Sequence, residues 1–300
     1  MKTRMFVHAG LMLVSGLVLT GCAGIPSRLK PEQVAEVNRT HVRAYLPQNQ
    51  LRAEFIQSNY GGSFGLIGAI VDGAVTAGNQ RNADERVQQL REQIRDVDVR
   101  AMYWQSLSNQ VCGVPWLKID KFDTIPDNVR ALKASDVEGG AAMIMGSGYS
   151  ISQNCRVFEF TTGVDLYLPH KHQQPSASVL MTYHSSEYGK TNGVEAIKLW
   201  SANGAAPLRK AISEAIEGSV RMVRLALECM GNASETPERP AKVAAVFIHA
   251  VGDFGSQFGK ESYKVMVLED TPERLIFRSP NGRLWSFPRQ EVEVKYLPTK

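Results

Sequence analysis

His170, His172 and His184 are the residues whose type and spacing come nearest to a reactive site. Imidazole ligates zinc, and two histidines two residues apart on a strand share a face. His170 and His172 flank Lys171 in the Pro-bounded run "PHKHQQP", however, and such a run reads as a solvated loop. Asp120, Asp123 and Asp127 raise calcium, but their spacing is not that of an EF-hand and the sixth-position glycine is missing, so a charged loop is expected. Nucleophilic catalysis needs a serine or cysteine with a base and an orienting acid. The chain has no G-x-S-x-G elbow, and "GSGYS" at 146–150 continues a strand pattern. The phosphate-loop pattern G-x-x-x-x-G-K-[ST] is absent as well. The sequence therefore predicts no catalytic, cofactor-binding or metal-binding residue. A hydrolase whose triad assembles only in space is the alternative.

The elements that would position any site follow from periodicity. "THVRAYLP" reads as a short strand, and "QNQLRAEFIQS" has helical spacing at Leu51, Phe55 and Ser58. Val87, Leu90, Ile94 and Val97 mark an amphipathic helix; a second runs from Asp98 to Gln110, with Asp98 as N-cap and Val99, Met102, Tyr103 and Leu107 inward. "VPWLKI", "GGAAMIMGSGYSI", "RVFEFTTGVDLYL" and "SASVLMTYHSS" are bounded by Pro, Gly and Asn and read as strands. "PLRKAISEAIEGSVRMVRLALECMG" is the strongest helix, with Pro207 in its first turn and Gly231 just past its end. Its stripe of Leu208, Ile212, Ala215, Ser219, Met222, Ala226 and Met230 is widened by Ala211, Ile216, Val220, Val223 and Leu227, and a face that broad packs on a sheet. Five short strands follow, and "SPNG" carries a hairpin signal. The expected fold is α+β: an antiparallel sheet packed by helices, a C-terminal antiparallel β-unit that a curled sheet or an SH3-like barrel would fit, and an N-terminal glycine-rich helix.

The first residues are of another kind. Lys2 and Arg4 precede a mostly apolar run from Met5 to Leu19, too short for the roughly 20 residues of a spanning helix, so it reads as a secretory signal. It ends in Leu19-Thr20-Gly21-Cys22, which resembles the lipobox of bacterial lipoproteins. The resemblance implies diacylglycerol on the Cys22 thiol, cleavage before Cys22 and acylation of the new amino terminus. Several acyl chains hold a soluble domain at a bilayer where one binds only marginally. No other cofactor is implied. In Gram-negative lipoproteins of this type Asp after the cysteine suggests inner-membrane retention, so Ala23 points to the outer membrane.

Removing 21 residues from 300 leaves 279, and the formal charge falls from +4 to +2 with the loss of Lys2 and Arg4. That balance excludes a strongly basic nucleic-acid binder. The hydrophobic share of 43% is that of a globular chain with a real core. Cys112, Cys155 and Cys229 remain after Cys22. In an oxidising compartment the expected pair is Cys112–Cys155, with Cys229 packed; three buried, unlinked thiols are the other reading.

The segment 61–77 is unusual. Gly61, Gly65, Gly68, Ala69 and Asp72 share one helical face, while Phe64, Leu66, Ile67, Ile70 and Val71 lie on the opposite arc. The pattern resembles the glycine zippers of bacterial envelope proteins. Glycine inside a soluble helix costs roughly 0.5–1 kcal/mol relative to alanine, which implies close backbone approach to something. Packing in the chain's own core, self-association and entry into a membrane all fit.

The chain thus divides into a signal (1–21), a lipidated tether (22–40), a helical region with the glycine-rich helix (41–110), an α+β domain (111–231), a linker (232–240) and a small β-unit (241–297). The mature chain resembles a class of bacterial lipoproteins with a glycine-rich helix before an α+β domain. The resemblance implies a lipid-anchored, periplasm-facing outer-membrane protein that binds or scaffolds an envelope protein, or itself, without enzymatic activity.

Overall fold

The broad apolar stripe of the last helix finds the sheet it demands. The computed structural model describes residues 28–46, 51–53, 85, 87–125, 139–152, 154–169, 171, 174–231, 242–248 and 263–297. Among these are the helices α1 (Pro31–Glu36), α2 (Gln88–Gln93), α3 (Val99–Val111), α4 (Val194–Trp200) and α5 (Ala202–Gly231). The strands are β1 (Thr40–Tyr45), β2 (Arg52–Ala53), β3 (Ile119–Ile125), β4 (Ala141–Ile151), β5 (Phe158–Tyr167), β6 (Ala177–His184), β7 (Lys242–Ile248), β8 (Tyr263–Asp270), β9 (Arg274–Arg278), β10 (Leu284–Pro288) and β11 (Val292–Tyr296).

The strands form one path, β11-β7-β8-β9-β10-β6-β5-β4-β1-β3, with β2 beside β4. The sheet is mixed rather than purely antiparallel. β1 runs parallel to both β3 and β4, and β10 runs parallel to β6. β4, β5 and β6 form the antiparallel centre. The fold is α+β, a mixed sheet packed by helices with a C-terminal β-element.

Every residue of the predicted α5 stripe and of its flanks is buried. Asn203, Gly204 and Ala205 have left-handed φ values of 51°, 67° and 60°, so the regular helix starts after them and Pro207 falls in its first turn. Gly231 closes the helix instead of following it, with the Trp116 ring against its Cα. α3 starts as its sequence demands: the Asp98 side chain accepts from the Ala101 amide at 2.9 Å. Its buried row is Val99, Tyr103, Leu107 and Val111, spaced by four, while Met102 is 39% exposed because it lies one position off that row.

Three connections differ from expectation. Residues 29–37 are not tether: Leu29 donates its amide to the Met230 carbonyl at 3.0 Å, and Leu29 and Val37 join the core. Arg52 and Ala53 pair with Ser150 and Ile151 as strand, because an open stretch of the β4 edge satisfies their backbone better than a helix start would. Phe55 and Ser58, like the whole segment 61–77 with Gly61, Gly65, Gly68, Ala69 and Asp72, lie outside the described residues, as does the linker 232–240. The third is the charged loop. Asp120 and Asp123 stand on β3 instead, with Asp120 at a register irregularity between Ile119 and Lys121. Asp127 is outside the described residues.

The C-terminal strands keep a core of their own, built on Val246, Val265, Leu275, Phe277, Trp285 and Phe287. Asn281-Gly282 turns β9 into β10, with Gly282 at φ 84°. This unit is not detached: β10 continues the main sheet beside β6.

α5 seats closely on the sheet at Gly218, where an added Cβ would lie 2.2 Å from the Tyr183 ring. Gly218→Ala should therefore destabilise by about 1–3 kcal/mol through overpacking, despite alanine's better helix propensity. Urea unfolding against the exposed control Glu214→Ala, expected within about 0.5 kcal/mol of the parent, checks it. A gain in stability for Gly218→Ala would refute this packing.

Candidate functional site

Alternation along β5 and β6 places Phe160, Thr162, Val164, Val179, Met181 and Tyr183 toward the helices. The residues between them face the other way. In register across β4, β5 and β6 this far side carries Ser150, Glu159 and His184 in one row, and Ile144, Asp165 and Ser178 in another. Ser178 donates to Asp165 at 2.6 Å, and burial raises the Asp165 pKa.

Glu159 and His184 make the densest ionisable pair. His184 Nδ1 stands 3.7 Å from Glu159 Oε1, with the residues 2% and 3% exposed respectively. The imidazole stacks on Phe287 with centroids 4.4 Å apart and planes at 7°, and on Trp285 at 5.7 Å. Two arginines lie near it, Arg283 on the same face and Arg274 on the helix face of the sheet. Arg283 donates to Thr182 at 2.7 Å and lies over the Trp285 ring. Arg274 donates to the Tyr183 hydroxyl at 3.0 Å, to the His184 carbonyl at 2.5 Å and to the Ser286 carbonyl at 2.9 Å. Burial, then Arg283 and Arg274, hold the His184 pKa well below its usual value, so the ring is neutral.

A second layer closes the rim. Arg156 pairs with Glu187 at 2.7 Å, and Glu291 accepts from the Glu187 amide at 2.9 Å. Burial raises the Glu291 pKa, with Glu187 adding to the shift.

A neutral imidazole beside a carboxylate is the usual kit of general acid–base chemistry. Here the order argues for another role. Glu159 stands between Ser150 and His184, whereas a hydrolytic triad places the histidine between nucleophile and acid. Both groups are also sealed between the main sheet and the C-terminal unit. The cluster acts as a polar junction joining two cores.

Of the histidines singled out by spacing, His184 belongs to this junction; His170 and His172 lie outside the described residues. Among the described residues no three His, Cys, Asp or Glu side chains converge on a metal-sized position. Cys22 is outside the described residues too. Cys112 is exposed and Cys155 is buried, and they stand at separate places in the fold. Cys155 sits under Trp200, whose indole donates to its carbonyl at 2.6 Å, just before α5. Cys112 ends α3 near Trp116, which bonds Leu227 at the far end of α5. The regular part of α5 is roughly 37 Å long at about 1.5 Å per residue, and a disulfide needs Cα atoms about 4.4–6.8 Å apart.

Sequence reasoning missed Glu159, Arg274 and Arg283. The one signal was a charge inside or beside an otherwise apolar strand, as in "VFEFTTGV" and "RLIFR".

No family model matches the chain, and no curated protein matches it. Four solved chains match. One is titled "Crystal structure of uncharacterized protein"; it is 9% identical, with 67% of this chain and 94% of that chain covered at a TM-score of 0.24. A likeness of that size carries no argument about fold or activity.

The neutral, buried His184 makes stability depend on pH. Its folded pKa is depressed, so its stabilising effect is fully present above about pH 6.5, the unfolded value, and is lost as pH falls below it. Asp165 and Glu291, with raised pKa values, have the opposite sign at lower pH. Between pH 7 and pH 5.5 the parent should lose stability more steeply than His184→Gln, by at most about 1.4 kcal/mol per pH unit for one proton. Thermal midpoints of the two proteins across that range decide it; parallel curves would show that His184 does not stay neutral.

Proposed function

We propose that the chain is a lipid-anchored, periplasm-facing protein of the outer membrane that binds or scaffolds an envelope partner and catalyses no reaction. The observation that carries this reading is Leu19-Thr20-Gly21-Cys22 directly behind a basic and apolar leader. The lipid on Cys22 supplies the membrane attachment. No helix among the described residues is long and apolar enough to cross a membrane, and the reading asks for none.

The C-terminal unit is the module proposed for contact with the partner, read as an SH3-like barrel. The order β11-β7-β8-β9-β10 supports that reading, as do the Asn-Gly hairpin and the 3-10 turn Arg289–Glu291 before the last strand. The glycine-rich segment 61–77 is read as a zipper helix whose face of Gly61, Gly65, Gly68, Ala69 and Asp72 seats against a neighbouring backbone.

Two experiments test these readings. Cys22→Ala should block processing and leave a precursor heavier by the leader, whereas the wild type carries acyl mass on a chain that starts at Cys22. Intact-mass measurement of both is decisive, and an unlipidated wild type starting at Cys22 would end the anchoring proposal.

For the zipper, Gly65→Leu should cost about 1–3 kcal/mol or dissociate an oligomer. Ile70→Leu, on the opposite arc and nearly volume-conserving, should cost less than about 1.5 kcal/mol. Melting and sedimentation that do not distinguish Gly65→Leu from wild type would show that the small face touches nothing.

A further inference from the structure

β3 ends the sheet. It pairs with β1 on one side, and among the described residues no strand lies on its other side. In a parallel ladder alternate residues of a strand bond opposite neighbours. Ala141 of β4 bonds the Arg39 carbonyl, and Thr40 donates its amide to the Lys118 carbonyl at 3.0 Å, so the even residues of β1 face β3. Val42 and Ala44 stand level with Phe122 and Thr124, and their bonds therefore go to Lys121, Asp123 and Ile125. The amides and carbonyls of Phe122 and Thr124 are left pointing out of the sheet. β11, at the other end, is partly closed. The Leu297 amide bonds Val243, so the even residues of β11 point outward, and Val292 gives its amide to the Arg289 carbonyl and takes the Arg289 guanidinium at 2.7 Å.

The side chains of this edge carry a charge pattern. Alternation puts Lys121 and Asp123 on the far face and Phe122, packed against the main core, on the helix face. Lys121 Nζ lies 2.8 Å from Asp123 Oδ2, with the side chains 60% and 35% exposed, and His41 Nε2 bonds the same oxygen at 2.7 Å. A lysine on an edge strand normally keeps a second strand away. Here the opposite charge follows two residues later, and one strand matches both: the same strand run the other way. A two-fold axis through Phe122 sets Phe122 against Phe122 of a second copy as a hydrogen-bonded pair. It also sets each Lys121 against the other copy's Asp123 in the closer, non-hydrogen-bonded pairs on either side. An axis through Lys121 or Asp123 would put like charges face to face. An axis between residues would set outward backbone groups against inward ones.

We infer that a second copy of this chain docks on the outer edge of β3, antiparallel and two-fold about Phe122, so that two sheets become one. The inference stands independently of the proposed lipid anchor. The backbone bonds and the paired Phe122 rings supply the attraction, and the Lys121–Asp123 contacts fix the register more than they add affinity. Regular pairing is short, because the irregularity at Asp120 interrupts the strand. The contact is therefore small against the roughly 1,200–2,000 Å² of stable interfaces, and the dimer exchanges with monomer. A two-fold contact uses both β3 edges and closes on itself, so it stops at two copies.

Sedimentation of the full chain over a range of concentrations, with hydrogen exchange on the same samples, tests this. The parent should show a monomer–dimer equilibrium. Its Phe122 amide should exchange more slowly as concentration rises, while the Asp123 amide, which faces β1, stays as it was. Lys121→Glu leaves only acidic groups on the far side of the edge and should weaken dimerisation by about tenfold or more. Asp123→Lys should do the same with basic groups, and an equimolar mixture of the two variants should pair again. Thermal midpoints check that both variants fold; if Asp123→Lys does not, the parent's exchange and Lys121→Glu decide. A parent that stays monomeric, a dimer whose Phe122 amide exchanges as in the monomer, a dimer indifferent to Lys121→Glu, or two folded variants that do not pair would overturn the inference.

Discussion

The structure depends on one cation placed where two cores meet. Arg274 stands on β9, yet its guanidinium reaches past β10 to β6, lying 3.9 Å over the Tyr183 ring and bonding the Tyr183 hydroxyl and the His184 carbonyl. Its Nε donates to the Ser286 hydroxyl at 2.9 Å and a terminal nitrogen to the Ser286 carbonyl. Only arginine offers a planar fork of five donors able to serve so many acceptors at once. Without it, two carbonyls and two hydroxyls at the junction would lose their donor, and an unsatisfied buried polar group costs about 1–3 kcal/mol. The parallel pairing of β6 with β10 involves only three register pairs, so the side-chain clamp does much of the joining.

A second polar device sets the helix layer. Tyr103 of α3, Ser147 of β4 and Thr162 of β5 form a closed triangle of hydroxyls at 3.0, 2.9 and 3.1 Å. Burial pushes the Tyr103 pKa up to about 12. Each hydroxyl can donate to one neighbour and accept from the other, so the ring satisfies itself without water. An apolar replacement would pack as well, but it would not tell α3 where along the sheet to stop. The same logic holds at the junction, where stacked rings supply contact and the charged groups supply position.

These two devices mark the limit of what could be read from the amino-acid sequence. The α5 stripe, the Asp98 cap, the order of strands β4 to β6 and the Asn-Gly hairpin are local signals, and each appears where the residues placed it. Met102, the short strand at Arg52 and the strand that holds Asp120 and Asp123 are decided by neighbours distant in sequence, and local spacing misled there. The Glu159–His184 pair was invisible for a deeper reason. His184 was read on a strand beside the loop histidines His170 and His172, and its partners arrive from β5, β9, β10 and the turn before β10, up to about a hundred residues away. The expected Cys112–Cys155 pair joins residues that lie toward opposite ends of α5, a separation that only the packed helix defines.

Packing of the N-terminal residues narrows how the proposed anchor would present the molecule. Among the described residues Leu29 is bonded to Met230 at the end of α5. On the proposed anchoring, seven residues at no more than about 3.3–3.6 Å each separate it from the acylated Cys22, a reach of about 25 Å. On that proposal the C-terminal end of α5 would lie no farther than this from the headgroups. The junction clamp then becomes more than a stabilising contact. Because β10 pairs with β6, the C-terminal unit is joined to the sheet that α5 packs on, and the proposed anchoring would set the orientation of both together. A partner reached through that unit would have to lie within a narrow shell next to the bilayer, or be brought to it.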